Sequence, residues 1–201
     1  MRKGERTREA ILDHAVGLAS KVGLEGLSIG ALAADLGLSK SGLFAHFGSK
    51  EALQLRVLER AVDRFIDTVV APALRAPRGE PRLRALFENW LTWSRAEFLE
   101  GGCPLVAAAV ELDDRPGPVR DYLLQAQKDW LGALATAARI AIEEGHFSPD
   151  TEPEQVAHEF NSAILGYHHA ARLLRDPQAE ARTRRAFEAM VARAGAAPAQ
   201  P

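Results

Sequence analysis

Apolar residues recur at intervals of three and four along nearly all of this 201-residue chain, and this spacing constrains the fold more than any other feature. Such spacing places apolar side chains on one face of a helix, whereas the period-two alternation of strands is nearly absent. Glycine and proline interrupt the pattern and mark helix ends. The sequence predicts an all-α fold of about nine helices, over residues 6–22, 29–36, 40–46, 49–73, 82–100, 104–112, 118–145, 154–174 and 177–194.

Segments rich in glycine and proline divide the predicted helices into a head and a body. The head, residues 1–48, holds three helices, and a long connecting helix over 49–74 follows it. The stretch RAPRGEP is typical of a linker and opens the helical body, residues 75–195. The tail 196–201, rich in alanine and proline, is expected to be disordered.

Composition and charge narrow the classes of protein. Residues 1–50 hold seven Lys or Arg against five Asp or Glu, and the rest of the chain holds eighteen against twenty-two. A basic head on an acidic body is compatible with a partner that carries phosphate. Cys103 is the only cysteine, so an intrachain disulfide is excluded. No apolar run is long enough for a secretory signal or a membrane span, and we expect a cytoplasmic protein with no membrane partner.

Motifs of catalysis and metal binding are missing from the sequence. The six histidines form no HExxH pair, and there is no nucleophile elbow, P-loop or dinucleotide fingerprint. The acidic stretch 111–114 is followed by prolines that mark a turn rather than a pair of catalytic carboxylates. We therefore expect a protein that is not an enzyme, with no catalytic residue, metal or cofactor. A helical-bundle carrier or enzyme stays an alternative.

The stretch LSKSGLFAHFGSKEAL, residues 38–53, has the pattern of a helix-turn-helix. The second and third predicted helices are joined by a short glycine corner of the size typical of that motif. Leu32, Leu36 and Leu38 are predicted to face inward. The residues predicted to lie on the outer side of the second of these helices are Ser39, Lys40, Ser41, Phe44 and His46.

These outward residues suit a helix that enters the major groove of DNA. Short side chains there, with Gly42 among them, let the backbone approach base edges. Ser49 is expected to cap the next helix, whose free N–H groups and Lys50 would together bind a backbone phosphate. His46 is a candidate either for a phosphate contact or for covering the core of the head. A helix-turn-helix that serves as a protein adaptor, without DNA, is the other interpretation.

Residues 7–58 resemble the N-terminal domain of the tetracycline-repressor-like (TetR) family of bacterial transcription regulators. The resemblance rests on the signature A-x-x-L-G-L-S-K-S-G-L-F-A-H-F-G-S-K-E-A-L and on the layout of head, connecting helix and divergent helical body. It implies that Ser28 and the residues from Lys40 to His46 lie on the DNA side, with Lys50 on a phosphate. Phe44 departs from the family pattern, which usually has a tyrosine whose hydroxyl can bond a phosphate. Its ring would pack on a sugar or on a thymine methyl instead.

A helix-turn-helix is usually presented twice to DNA, so we expect a homodimer on a palindromic double-stranded operator. The resemblance implies that the last two predicted helices form a four-helix bundle across a two-fold axis. Core helices of a monomer would have the same apolar spacing. The predicted interface residues are Phe160, Ile164, Tyr167, Ala171, Leu174, Phe187, Met190 and Val191.

The aromatic residues of the predicted helix 82–100, together with Trp130, indicate either an apolar ligand cavity or ordinary core packing. Cys103 lies in GGCPL, which resembles a segment of some TetR regulators, and both a redox-sensing thiol and a merely packed thiol fit this sequence. The candidate lining residues are Trp90, Phe98, Cys103, Leu105, Trp130, Leu134 and His168. The function predicted is a sequence-specific DNA-binding regulator, a repressor released from its operator by an unknown small apolar or aromatic ligand.

Overall fold

The computed structural model describes residues 3–195, with side chains from residue 7 onward. All regular structure within that range is helical, which confirms the all-α prediction. The predicted disorder of residues 196–201 lies outside the described residues. The nine helices of this range are α1 (Lys3–Gly26), α2 (Ile29–Asp35), α3 (Lys40–Phe47), α4 (Lys50–Phe65, continued by a π-helical turn Ile66–Val70 and Ala71–Ala73), α5 (Glu80–Ser94), α6 (Pro104–Leu112), α7 (Pro118–Glu143), α8 (Pro153–Arg172) and α9 (Ala179–Gly195).

Serine side chains start three of the first four helices. The hydroxyl oxygens of Ser28, Ser39 and Ser49 accept hydrogen bonds of 3.1, 3.1 and 3.0 Å from the backbone N–H three residues later. Each bond satisfies a donor that the first helical turn leaves unpaired and stabilises the helix by about 1 kcal/mol. These caps fix where α2, α3 and α4 begin, and therefore which residues of α3 face outward.

The chain separates into two compact units. Unit 1 comprises Met1–Ile66 and Trp93–Gln125, and unit 2 comprises Asp67–Thr92 and Ala126–Pro201. Each unit is therefore built from two separate stretches of sequence. The predicted head, connecting helix and body are defined by their expected functions, whereas these two units are defined by compactness. The predicted division therefore stays a prediction.

The helical head of unit 1 has a small apolar core. Leu27, Leu32 and Leu43 are at most 1% exposed, and Phe47 closes the core at 6%. Leu38, predicted to face inward, is 45% exposed, so that prediction is wrong. The reason is local, because Leu38 lies in the turn between α2 and α3, where its backbone N–H bonds to Ala33 O and its side chain is left outside the core.

Helix α5 ends at Ser94, six residues before the predicted end at residue 100. A series of tight turns follows, with backbone bonds from Ala96 to Trp93 and from Leu99 to Ala96. Packing within unit 1 explains the early end. The Phe98 ring meets Trp93 edge-on at 5.7 Å and lies beneath the Arg64 guanidinium at 3.6 Å.

Unit 2 is organised around aromatic side chains from four helices. Trp130 of α7 packs edge-on against Phe160 of α8, with ring centroids 5.9 Å apart. Trp90 of α5 packs in the same manner against Tyr167, at 5.8 Å. Two arginine–glutamate pairs on the surface, Arg84 with Glu188 and Arg184 with Glu88, connect α5 to α9. Among the described helices, none has the length and apolar character needed to cross a membrane.

Candidate nucleic-acid interface

Helix α3 presents a polar and glycine-containing face to solvent. Leu43 and Phe47 hold it to the head and are 1% and 6% exposed. The predicted DNA-contacting residues of this region are all exposed, apart from Ser28, which is half-buried at the start of α2. The exposed set is Ser39, Lys40, Ser41, Gly42, Phe44, His46 and Lys50. The structure thus exposes these predicted residues to solvent, while their contact with DNA stays a prediction.

The serines at the start of α3 combine a structural and a binding capacity. Ser39 Oγ accepts from Gly42 N at 3.1 Å and lies 3.5 Å from Ser41 Oγ. A hydroxyl that accepts a bond still has its own hydrogen to donate. A Cβ added to Gly42 would lie 2.9 Å from Ser39 Oγ, so glycine keeps this cap intact. The first turn of α3 can therefore donate to a phosphate or a base without losing its cap.

Phe44 is the most prominent apolar group on this face. Its side chain is 53% exposed, and it is the one aromatic residue among the large apolar residues that are exposed in the described range. Its neighbours Ser41 and Ala45 are small, so the ring projects beyond them. His46 is exposed as well, and its ring lies tilted against Phe47 at 6.3 Å. An exposed ring among small polar residues suits an apolar contact such as a thymine methyl.

Lys50, at the first position of α4, has a partner that the sequence analysis missed. Its Nζ donates to the main-chain oxygen of Glu25 at 2.7 Å and lies 3.4 Å from Glu25 Oε2. Glu25 is in the last turn of α1, beyond the kink at Gly23, where φ is 75°. Burial alone would raise the pKa of Glu25, but the Gln54 hydrogen bond and the charges of Lys50 and Arg115 lower it. No local sequence signal links positions 25 and 50.

Two family models match the chain. The model described as "Bacterial regulatory proteins, tetR family" matches residues 11–57. The model described as "Tetracyclin repressor-like, C-terminal domain" matches residues 79–187, which is more than half of the chain. The chain belongs to the TetR family. It is a DNA-binding transcription regulator with an N-terminal helix-turn-helix, as the signature in residues 33–53 predicts.

Solved structures of the same fold include other TetR regulators. A TetR transcriptional regulator from Chloroflexus aurantiacus is 25% identical, with a TM-score of 0.83 and 96% of each chain covered. A regulator from Saccharomonospora viridis in complex with choline is 22% identical, with a TM-score of 0.81 and 94% and 97% covered. AibR, in complex with isovaleryl coenzyme A and operator DNA, is 22% identical, with a TM-score of 0.69 and 92% and 96% covered. Among curated proteins, none matches the chain significantly.

Most of the predicted dimer-interface residues lie inside unit 2 of a single chain. Six of the eight are at most 7% exposed, so these six have almost no area left to bury against a second copy. For these six the interface assignment stays a prediction, because the same spacing also marks the face that packs on the chain's own core. Ala171 is half-buried and Leu174 is 62% exposed, and both stay predictions. The six buried residues are Phe160, Ile164, Tyr167, Phe187, Met190 and Val191.

The predicted pocket residues divide between the two units. Phe98, Cys103 and Leu105 belong to unit 1, whereas Trp90, Trp130, Leu134 and His168 belong to unit 2. All are buried except the half-buried Phe98 and His168. Burial lowers the pKa of His168, and the neighbouring Arg172 and His169 lower it further. The lining of a ligand site by these residues stays a prediction, since core packing accounts for the same burial.

The Cys103 side chain is buried rather than exposed to solvent. Its side chain is 1% exposed, and its Sγ accepts a hydrogen bond from Trp93 Nε1 at 3.3 Å. Burial raises the pKa of the Cys103 thiol, against the opposing effect of that bond. The neutral thiol is therefore favoured at neutral pH. Across the described residues, no group of three or more His, Cys, Asp or Glu side chains is arranged to hold a metal ion.

Proposed function

We propose that this regulator is a homodimeric repressor in the bacterial cytoplasm and that α3 reads a palindromic operator. The observation that carries the proposal is the exposed face of α3, on which Lys40, Ser41, Gly42 and Phe44 are all open to solvent. Such a face combines a cation, a hydroxyl and an apolar ring. Each of these groups matches a chemical feature of base edges in the major groove.

The proposed contacts divide into those that select a sequence and those that position the protein. Lys40 and Ser41, in the first turn of α3, are assigned to base edges, and Phe44 to a thymine methyl or a sugar. Lys50 and the free N–H groups at the start of α4 are assigned to a backbone phosphate. The whole chain has a formal charge of −2, so it offers DNA no general positive charge. DNA affinity therefore depends on the lysines of this face.

A second copy of the chain is proposed to pack on the outer sides of α8 and α9. Leu165 on α8 is 42% exposed, and Gly166 beside it is exposed. On α9, Ala186 and Ala189 are exposed on one side of the helix. Small residues beside an exposed leucine allow two helices to approach closely. A dimer would present two copies of α3 to half-sites about 34 Å apart.

A small molecule is proposed to release the repressor from its operator. The complexes of choline with the Saccharomonospora viridis regulator and of isovaleryl coenzyme A with AibR make a small organic ligand a reasonable candidate class for this chain. Trp90, Trp130 and His168 are the candidates for contacting it within unit 2. A ligand shifts the equilibrium between two states only by its difference in affinity for them. Equal ligand affinity for free and operator-bound dimer would therefore refute induction.

The test of operator binding starts with selection of duplexes from a random-sequence library by the full-length wild-type protein. We expect enrichment of a palindrome, with affinity that falls steeply between about 50 and 200 mM salt. Lys40→Ala should change the enriched sequence. Lys21→Ala is the control, because Lys21 pairs with Glu100 at 2.9 Å and lies outside α3. Absence of any enriched sequence would contradict the proposal and favour a helix-turn-helix that acts as a protein adaptor.

A further inference from the structure

The ammonium group of Lys50 already contacts two oxygen atoms of Glu25. In this structure it donates to the Glu25 carbonyl at 2.7 Å and pairs with Glu25 Oε2 at 3.4 Å. The Lys50 and Glu25 side chains are 45% and 41% exposed, so a phosphate can reach the pair. A phosphate that approached Lys50 would therefore meet a cation that already neutralises a carboxylate.

The Glu25 carboxylate is itself shared among several donors of unit 1. Arg115, in the loop 113–117 between α6 and α7, lies with its Nη1 3.0 Å from Glu25 Oε2. Gln54 Nε2 donates to Glu25 Oε1 at 3.4 Å and to Leu24 O at 2.6 Å. Arg115 and Lys50 thus pair with the same carboxylate oxygen. The more closely Arg115 binds it, the less negative charge is left to hold Lys50.

The end of α6, which precedes the loop that carries Arg115, is bonded to the end of α1. Glu25 N donates to Glu111 Oε2 at 3.0 Å. The carboxylate of Glu111 also fills the space beside Gly23, since a Cβ built there would lie 1.8 Å from Glu111 Oε1. On the other side of the loop, Arg120 Nε donates to Asp113 O at 2.9 Å. The segment after α6 is therefore held beside the end of α1 at which Glu25 meets Lys50.

We propose that Glu25 is a positioning residue for DNA binding, whose carboxylate competes with backbone phosphate for Lys50, and that Arg115 weakens this competition by binding the same oxygen. The inference rests on the proposed phosphate contact of Lys50. Loss of the Arg115 contact leaves Lys50 as the only cation paired with the carboxylate among these contacts, and it lowers DNA affinity. A displacement of the loop 113–117 away from α1 has the same effect, which makes this loop a control point for release from DNA.

The test compares four variants of the full-length protein with the wild type on a labelled duplex of random sequence, between about 50 and 200 mM salt. Glu25→Gln removes the competing charge and should tighten binding about two- to fivefold, the range of one exposed ion pair. Arg115→Ala should weaken binding by a similar factor. In the double variant, Arg115→Ala should have no further effect, because its target is gone. Glu51→Gln is the matched control, since it removes the same charge from the residue that follows Lys50.

Two results would overturn the proposal. One is an equal gain from Glu25→Gln and Glu51→Gln, which would mean that only the general field of the head matters. The other is an equal loss from Arg115→Ala with and without Glu25→Gln, which would make Arg115 a direct phosphate contact. Thermal unfolding of each variant is the control that distinguishes weaker binding from a loss of fold.

A second measurement needs no DNA. Carbon-13 NMR of the Glu25 carboxyl should give a pKa that rises in Lys50→Ala and in Arg115→Ala, because each variant removes a positive charge that lowers it. An unchanged pKa in both variants would overturn the pairing. If the pKa responds as expected but the wild type binds no duplex at any salt, the proposed operator binding fails while the contact between Glu25 and Lys50 stands.

Discussion

The rings of Phe87 and Phe187 stack face to face, with centroids 4.1 Å apart and planes inclined by 8°. Phe160 meets both rings edge-on, at 5.8 and 5.6 Å. The three residues come from α5, α8 and α9 and are at most 2% exposed. This cluster attaches the last two helices to α5, so the surface that α8 and α9 offer to a second copy depends on it.

Truncation of one ring tests this cluster. Phe187→Ala should lower the free energy of unfolding by about 3–5 kcal/mol, because it removes a stacked ring and leaves a cavity. Urea unfolding at a fixed protein concentration measures the change. Phe44→Ala is the control and should change stability by no more than about 0.5 kcal/mol, since that ring is 53% exposed. Equal losses in the two variants would contradict the assigned core.

The two lysines of the DNA face should behave differently. Lys50→Ala is expected to weaken binding to all duplexes by a similar factor and to reduce the salt slope by about one, because a phosphate contact carries no sequence information. Lys40→Ala should alter the preference among bases instead. Fluorescence anisotropy on the selected palindrome and on single-base variants separates the two effects. If neither variant affects binding, the assignment of this face is wrong.

Phe44 allows a test with a modified duplex. Replacing a contacted thymine by deoxyuridine removes one methyl group and should cost about 0.8 kcal/mol, about a fourfold loss of affinity. Phe44→Ala should weaken binding and abolish this difference between thymine and deoxyuridine. A variant that weakens binding without any methyl dependence would place the ring on a sugar instead. Phe44→Tyr should tighten binding by about 1 kcal/mol if its hydroxyl reaches a phosphate.

The proposed subunit interface can be tested with a charge on its exposed leucine. Leu165→Glu should give a monomer of normal helix content, because the side chain is 42% exposed in the chain yet would be buried in the dimer. Light scattering after size-exclusion chromatography measures the mass. Leu124→Glu is the control, with 41% exposure on α7, and should stay dimeric. A Leu165→Glu protein that remains dimeric would move the interface elsewhere.

Cys103 should be slow to react in the folded protein. Because burial raises the pKa of its thiol, the thiolate fraction at neutral pH is below that of a free cysteine. Alkylation rates measured against pH should rise only above the usual cysteine pKa, and unfolding in urea should restore normal reactivity. Rapid alkylation of the native protein at neutral pH would indicate an accessible thiolate and support the redox-sensing interpretation.

Most of the helical architecture follows from local sequence chemistry. Ser28, Ser39 and Ser49 were predictable caps, because a serine before an apolar-periodic segment satisfies the first helical N–H groups. The overrun of the predicted helix 82–100 past Ser94 has a different origin. Its turn depends on Phe98 packing against Trp93 and Arg64, and such a long-range contact leaves no mark on helical periodicity.

The candidate site also combines features that follow from local sequence with features that depend on long-range contacts. Exposure of Lys40, Ser41 and Phe44 follows from the inward placement of Leu43 and Phe47 on one short helix. For interface candidates such as Phe160, apolar spacing identifies a buried face but not whether the same chain or a second one buries it. The contact between Lys50 and Glu25 joins residues 25 positions apart, beyond the reach of any local pattern.

Unit 1 is assembled from Met1–Ile66 together with Trp93–Gln125, and this has a practical consequence for protein engineering. A chimera made by exchanging only the N-terminal segment with that of another regulator would pair it with a foreign stretch at positions 93–125. Arg64 would then lose Phe98, and Glu25 would lose Arg115. Operator preference is therefore better transplanted by exchanging the outward residues of α3 than by swapping the whole N-terminal module.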